Sequence, residues 1–480
     1  MNGSIAMLKS DSSLKIKEYM ELRNELLQIV VFEMSTFTDV EKMAGDFNLE
    51  SREFVDAIEA LRSWGPVFTR NIGRGDQLEL LLRQMALQIV IWVDTIRKAK
   101  CKLGVFETSA SHHLENVCLE IACDLAKVRK IFLSHSPFTY RLLPILQESD
   151  YKSRQLANLN LTEWTLDSGS ISTNSNHWKS RIIITDKREY WLIYAFILIV
   201  WSALKRNAKK FIWNVSSRLH LVHIREPRLI PSARISAIIS VDLLFKQRKA
   251  LRYLRGQTVR NLVAGLTDNE NGIIIASHFQ PESSSFPIGS EFGNQVDIVF
   301  EIRRTYPDKP IFYKEHPHIY RYSVRGAISN VGVARSVEYY RTLKALGVTF
   351  LPINMEEDLF NKLSEKHLVL TISGRIAVDR SLKGLQTVIV GTPWYNGLPG
   401  TISFDDYISR KPGILEDKNL SIEAQEWIKQ AHTFTTISPG PWSIFQKTFS
   451  LEGFTSDSYC KDMIELIKQA FETYSRGGSQ

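Results

Sequence analysis

The sequence predicts an α/β protein built from two doubly wound domains, and three observations predict it. Short apolar, β-branched runs alternate with helical patterns in two separate stretches of the chain. A polar and then basic segment divides the two stretches. In the second stretch, polar and charged residues follow the runs directly, at the position where open α/β sheets bind ligands.

The first domain is expected over residues 20–150. Leu26 to Phe32 (LLQIVVF) is a β-branched run ending in Glu33, Ser35, Thr36 and Thr38, which reads as a strand leading into a helix N-terminus. Helical patterns follow at Asp39 to Phe47 and Leu49 to Ser63, and a longer one runs from Gln77 to Lys98. Leu103 to Phe106 is the next strand, followed by a Thr-Ser-Ala-Ser loop and a helix from His113 to Ala126. Lys130 to Leu133 makes a third strand, broken by Ser134-His135-Ser136-Pro137. Such alternation predicts parallel strands, because a parallel pair needs a long crossover.

Residues 151–265 read as a loop and a basic helical linker or insertion. The stretch SGSISTNSN from Ser168 to Asn176 is irregular. Two basic groups follow: Lys205, Arg206, Lys209 and Lys210, then Lys246, Arg248, Lys249, Arg252 and Arg255. They read as solvated helix faces or as a surface for anionic lipid or an acidic acceptor. Tyr190 to Leu204 holds fifteen uncharged residues between cationic flanks. As a helix it spans about 22 Å against a hydrocarbon core of roughly 30 Å, so a buried helix or a membrane-interface helix is expected rather than a spanning one.

The second domain is expected over residues 266–435. Its strands are Gly272 to Ala276, Ile311 to Lys314, Val348 to Leu351, Leu368 to Thr371 and Thr387 to Val390. Residues 436–480 form a tail with a Pro-Gly-Pro turn and a final helix from Ser458 to Tyr474 that packs back on the domains.

Composition narrows the function. A chain of 480 residues, 44% hydrophobic and 23% charged, is long enough for several well-filled cores. Its net charge of +8 suits anionic partners, and no nucleic-acid reader motif accompanies it. Cys101, Cys118, Cys123 and Cys460 form no Cys-x-x-Cys pair, which fits a reducing compartment and predicts no structural zinc. Met1 to Lys17 has no apolar core segment of a signal peptide, so a cytoplasmic location is expected.

Candidate chemistry follows the strands of the second domain. Ser277-His278-Phe279-Gln280-Pro281-Glu282 can orient a sugar or exchange a proton, with His278 and Glu282 as the acid–base candidates, or simply satisfy loop backbone groups. Lys314-Glu315-His316-Pro317 places a cation and an imidazole where phosphate oxygens can be held as charge develops on a leaving group; a capped loop with a surface ion pair is the alternative. Ser373-Gly374-Arg375 leads into a helix carrying Asp379, so backbone N–H groups can meet an anion and Asp379 can accept from sugar or ribose hydroxyls. In the first domain, Glu107, His112 and His113 follow a strand, and Glu107 or a histidine is a candidate base for an acceptor hydroxyl; helix capping is the alternative. His135 is a weaker candidate of the same kind.

The pieces HFQPESSSFPIG, YKEHP, RSVEYY, TISG and VIVGTPWYNGLPG, in that order over about 130 residues, resemble the capsule polysaccharide biosynthesis family of glycosyltransferases. The resemblance implies a GT-B-like arrangement, two Rossmann-like domains facing a central cleft, with the nucleotide held by the C-terminal domain and the acceptor by the N-terminal one. It implies that His316 and Lys314 contact the donor phosphate, that Ser373 and Gly374 line the nucleotide site, that Gln280 and Glu282 sit at the sugar end, and that Tyr395 closes one side of the pocket. Arg375 and Asp379 depart from the family pattern, which has a small residue or Thr and then Glu. Arg375 would add a phosphate clamp or block the usual donor.

The implied activity is transfer of a sugar, by family analogy an acidic one such as Kdo on CMP, to a capsule or surface glycan or glycolipid. No metal constellation reads from the spacing, so metal-independent transfer is expected; no cofactor is expected, the nucleotide-sugar being a substrate. A sugar-nucleotide epimerase or hydrolase of the same fold, or a non-catalytic capsule assembly or export factor, are the alternatives. Peripheral attachment at the inner face of the plasma membrane is compatible with each.

Overall fold

The computed structural model describes residues 3–22, 27–33, 51–64, 78–108, 110, 114–136, 138, 141–148, 151–157, 159, 246, 249–258, 272–278, 286–316, 335–353, 355, 357–410, 418–435 and 456–475. The first unit runs through β1 (Gly3–Leu8), α1 (Asp11–Leu22), β2 (Leu27–Phe32), α2 (Arg52–Ser63), α3 (Leu78–Lys98), β3 (Cys101–Phe106), α4 (Leu114–Leu125), β4 (Arg129–His135), β5 (Leu142–Gln147) and β6 (Gln155–Leu156). Its sheet has the order β2-β1-β3-β4-β5-β6. The first four strands are parallel, and β5 and β6 return antiparallel.

Alternation along each strand sends side chains to two separate cores. Ala6, Phe32, Phe106 and Phe132 pack with α2, α3 and α4 on one face. Ile5, Met7, Leu103, Val105 and Ile131 pack on the other face with Ile16 and Met20 of α1. Ser51 starts α2 by accepting from the Phe54 N–H at 3.3 Å, which satisfies one of the donors a helix start leaves open.

The second unit comprises β7 (Ile273–Ala276), α5 (Gln295–Thr305), β8 (Ile311–Lys314), α6 (Val337–Ala345), β9 (Val348–Phe350), α7 (Glu357–Lys366), β10 (Leu368–Thr371), α8 (Ile376–Ser381), β11 (Thr387–Ile389), β12 (Thr401–Ser403), α9 (Phe404–Arg410) and α10 (Lys418–Thr435). All six strands are parallel, in the order β12-β11-β10-β7-β8-β9. The chain therefore starts at the sheet centre, builds outward to β9, and returns to build the other half from β10. The junction of β7 and β10 is its topological switch point, and the junction of β1 and β3 is the equivalent in the first sheet.

The last helix, α11 (Ser456–Ser475), returns to the first unit. Met463, Leu466 and Ile467 are fully buried against Ile5, Met7 and Leu103, and each such side chain contributes about 1.5–3 kcal/mol. Without α11, that face of the first sheet would keep only α1 as cover among the described helices.

Several elements differ from the sequence expectation. The first sheet begins at Gly3 rather than near residue 20, and its last strand ends at Leu156, beyond residue 150. β1 (GSIAML) has only three large apolar residues, too few to stand out as a run, yet it lies inside the sheet between β2 and β3. β5 (LLPILQ) carries Pro144, a residue that argues against a strand with neighbours on both sides; its ring lies where β5 faces Leu133 of β4. The expected helix over residues 39–47, the loop over 168–176, the apolar run over 190–204 and the basic group at 205–210 lie outside the described residues. Of the second basic group, Lys246, Lys249 and Arg252 are exposed while Ala250 and Leu254 of the same turn pattern are buried in the second unit, which is the solvated-face arrangement. Among the described residues no helix is long and apolar enough to cross a membrane.

Candidate functional site

At the switch point of the second sheet, the chain leaves β7 through Ser277 and His278 and leaves β10 through Ile372, Ser373 and Gly374. His278 ties the two exits together. Its Nε2 accepts from the Ser373 N–H at 3.1 Å and lies 2.8 Å from the Thr371 hydroxyl. A backbone amide can only donate, so Nε2 carries the lone pair and the ring is neutral with its proton on Nδ1. Burial, with the charges of His316 and Arg335 nearby, lowers the His278 pKa to about 3. The ring nitrogen with the lone pair is thus committed to loop architecture, which agrees with the second of the two sequence readings of His278, that of satisfying loop backbone groups.

Gly374 completes this turn. Its N–H donates to Thr371 Oγ1 at 3.2 Å, and a Cβ at this position would lie 2.6 Å from the same oxygen. Only glycine fits between the threonine hydroxyl and the His278 ring. Gly391, which follows β11, is equally constrained, because a Cβ there would meet Ile288 O at 2.7 Å and Ile372 O at 3.0 Å.

Beside the switch point, β8 ends at Lys314, and Glu315 and His316 follow it. Glu315 is fully buried and carries the densest polar network of the region. Its carboxylate receives Ser277 Oγ at 2.6 Å, Arg335 Nε at 2.8 Å, Tyr340 OH at 2.7 Å and its neighbour's amide, His316 N, at 2.9 Å. Burial alone would raise the Glu315 pKa, but the Arg335 charge and the hydrogen bonds from Arg335, Ser277 and Tyr340 outweigh it and hold the carboxyl below its ordinary range. Arg335 is also fully buried, donates to His278 O at 3.0 Å, and lies 4.6 Å over the Tyr339 ring. The surface ion pair considered for this loop is instead a buried one, and it fixes the backbone of both His278 and His316.

Lys314 is half-buried and donates to Ile353 O at 2.7 Å; burial lowers its pKa to about 8 despite the neighbouring Glu315. At neutral pH it remains mainly an ammonium, with donor capacity beyond that carbonyl. The half-buried His316 lies near enough for its charge to bear on His278.

Three expectations change, two for the helix after β10 and one for the loop after β11. α8 has six residues, so its dipole is short and the helix-start contribution to anion binding is slight. Asp379 pairs with Arg375, Nε to Oδ1 at 3.3 Å, instead of standing open to sugar hydroxyls. Tyr395 is buried, 1% exposed, and its hydroxyl donates to Gly374 O at 2.7 Å, so it braces the Gly374 turn.

The two units meet here. The Arg375 guanidinium lies 5.7 Å from the Phe138 ring, which follows β4 of the first sheet. Two residues earlier, Ser136 Oγ is 2.6 Å from Nε2 of His432 on α10. His432 Nδ1 donates to Ile428 O at 2.7 Å, so Nε2 is the acceptor of the Ser136 proton, and burial lowers the His432 pKa to about 4. Trp64 and Phe286 add an edge-to-face contact across the units at 5.8 Å. The carboxyl ends of the two sheets are therefore turned toward one another at β4 and β10.

On the first sheet, Glu107 follows β3 at the switch point and is exposed. Its Oε2 accepts from Ser10 Oγ at 2.7 Å and its Oε1 from Tyr459 OH at 2.5 Å. His135 is exposed at the end of β4. Gln280, Glu282, His112 and His113 lie outside the described residues. Sequence reasoning missed Ser277, Arg335, Tyr340, Ser136 and His432 as site-building residues. The run RSVEYY holds the signal for two of them: an arginine ahead of a helix start, then a tyrosine one turn into it, both able to reach the same carboxylate.

No family model matches the chain, and no curated protein matches it. Among solved structures, a UDP-GlcNAc 2-epimerase of Methanocaldococcus jannaschii in complex with UDP-GlcNAc and UDP aligns at 12% identity over 98% of this chain and 99% of its own, with a TM-score of 0.20. KpsC of Thermosulfurimonas dismutans, a beta Kdo 2,7 transferase, aligns at 10% identity over 90% of each chain, with a TM-score of 0.29. The UDP-GlcNAc 2-epimerase of Neisseria meningitidis aligns at 12% identity over 98% of this chain and 100% of its own, with a TM-score of 0.19. Values this low carry no inference about the reaction.

Proposed function

We propose that this chain is a glycosyltransferase that takes a sugar from a nucleotide-activated donor, an acidic sugar such as Kdo on CMP being the donor favoured by the motif resemblance, and passes it to a surface glycan or glycolipid. The observation that carries the reading is the placing of Lys314 and His316 at the end of β8, beside the second switch point and the Gly374 turn that His278 pins. A departing nucleotide phosphate gathers negative charge, and fixed N–H groups and cations at such a crevice stabilise it without reorganising. Lys314 and His316 would hold that phosphate beside the turn at Ser373 and Gly374, whose own amides are taken by His278 and Thr371; Arg375 would join them by releasing Asp379.

Transfer is preferred to epimerisation or simple hydrolysis on the motif resemblance. The first sheet presents an exposed carboxylate, Glu107, at its own switch point, and the ends of the two sheets are turned together. An exposed carboxylate on the first unit suits the activation of a second substrate. Attachment to the inner leaflet is part of the same proposal, and co-sedimentation with anionic vesicles that persists at low salt and weakens at high salt would support it.

Calorimetric titration of CMP, UDP and GDP into wild type and His316→Ala tests the donor site. Selective binding of one nucleotide, weakened at least about tenfold in the variant, is expected for loss of a hydrogen bond to a charged group. Absence of binding to all three would reject the donor site and favour a non-catalytic assembly factor. Consumption of the nucleotide-sugar to an isomer without any acceptor would favour the epimerase instead.

A further inference from the structure

The hydroxyls of Ser10 and Tyr459 converge on one carboxylate from two distant parts of the chain; Ser10 Oγ also accepts from the Ser13 N–H at 2.9 Å at the start of α1. Ser10 follows β1 and Glu107 follows β3, the two strands whose junction is the switch point of the first sheet. Tyr459 comes from α11, more than three hundred residues later in sequence, and donates at 2.5 Å to Oε1 while Ser10 donates at 2.7 Å to Oε2. We propose that Ser10 and Tyr459 are positioning residues for Glu107 as the base that activates the acceptor hydroxyl, so that the C-terminal helix is a working part of the acceptor site. The proposal rests on the transferase reading above.

Each carboxylate oxygen has two lone-pair directions. One on each oxygen is taken by a hydroxyl, which stops the group from rotating, and the exposed side of Glu107 keeps the others available to a substrate. Tyr459 is itself buried, 1% exposed, so its ring and hence its hydroxyl are held by the core of the first unit. Burial, followed by the Glu107 charge, keeps this phenol protonated, which makes it a constant donor. The arrangement leaves one group free to take a proton: the carboxylate.

In the step this supports, the acceptor oxygen forms a bond to the anomeric carbon while its proton passes to Glu107. The bond from the anomeric carbon to the phosphate oxygen breaks, and the nucleotide leaves with the electron pair. Neither an oxidant nor a further reactant is needed.

The test is nucleotide release from CMP-Kdo, UDP-N-acetylglucosamine and GDP-mannose by the full chain, with a methyl glycoside or water as acceptor, alongside nucleotide titration of the same samples. Tyr459→Phe keeps the ring and removes only the donor, and it is expected to lower kcat about tenfold with nucleotide affinity and donor KM unchanged. Ser10→Ala is expected to act in the same direction, and Glu107→Gln to lower kcat by about a hundredfold or more. Wild-type kcat in Tyr459→Phe and Ser10→Ala, or a loss of nucleotide affinity in step with the rate, would overturn the positioning role while leaving the donor site standing. Lack of nucleotide binding or of release by the wild type would overturn both.

Discussion

Glu315 shows how much of the site depends on a single buried charge. Its partner Arg335 is also without exposure, so the pair gains nothing from solvent and depends on the hydrogen bonds around it. Arg335→Ala would leave Glu315 charged in a dry setting and is expected to cost about 3–5 kcal/mol, read as a lower urea midpoint. The double variant Arg335→Met with Glu315→Gln should recover part of that loss, because it removes the uncompensated charge. If the double variant were no more stable than Arg335→Ala, the charge would not be the cause. Titration works in the same direction at three residues. The Glu315 pKa is depressed from 4.5, so its contribution is full above that value and is lost as pH falls through the folded pKa. His278 and His432 stay neutral in the fold down to about 3 and about 4, whereas the unfolded chain protonates them near 6.5. At these residues the unfolded state therefore binds more protons in that window, and their contribution to stability falls as pH drops from 6.5 towards about 4. His432→Gln removes one of these groups; its urea midpoint should depend less steeply on pH over that window than the wild type's. An unchanged slope would mean that His432 takes its proton in the fold.

At the scale of elements, the strand exits of the second sheet are rigid because backbone approaches backbone there. Gly374→Ala would drive a methyl into Thr371 Oγ1 and disturb the hydrogen bonds that His278 makes to both sides of the crevice. The expected cost is about 1–3 kcal/mol, with nucleotide binding lost by calorimetry. Gly397→Ala offers the contrast: its φ is +88° but nothing lies near the new methyl, so it should strain the backbone without touching nucleotide binding. Equal effects on binding would deny the Gly374 turn any special place. These strand exits were largely legible in the sequence. Ile311 to Lys314 and Leu368 to Thr371 match their strands end to end, since a buried parallel strand is a continuous apolar run with nothing to blur it. β1 escaped notice because Ser4 and Ala6 dilute it, and β5 because Pro144 interrupts it. At the site, position in sequence found His278, with loop-backbone bonding as one of its two readings, and Tyr395 and Asp379, but not the partners that the last two meet, Gly374 O and Arg375. Which side chains a polar residue meets depends on loops brought together from distant strands, as His278 meets Thr371, and no local spacing encodes that pairing.

The molecule as a whole is two α/β units whose carboxyl ends meet, closed by a helix that travels back from the end of the second unit to the first. That return gives α11 two tasks: it covers one face of the first sheet, and it carries Tyr459 to the switch point. The covering task predicts an asymmetric response to removing the helix. A chain stopped before Ser456 would uncover Ile5, Met7, Leu103 and Ile131, whose packing partners include Met463 and Ile467. Several fully buried side chains at about 1.5–3 kcal/mol each exceed a large part of the 5–15 kcal/mol by which a domain is stable. The second sheet has its own cores, filled by α5, α6, α7 and α10 without any residue of α11. Hydrogen exchange should therefore show amides of β1 and β3 losing protection in the shortened chain while those of β7 and β10 keep theirs. Loss of protection in both sheets together would mean that the contacts between the units, Ser136 with His432 and Phe138 with Arg375, bind them into one cooperative body; protection kept in both would mean that α1 alone suffices to cover the first sheet.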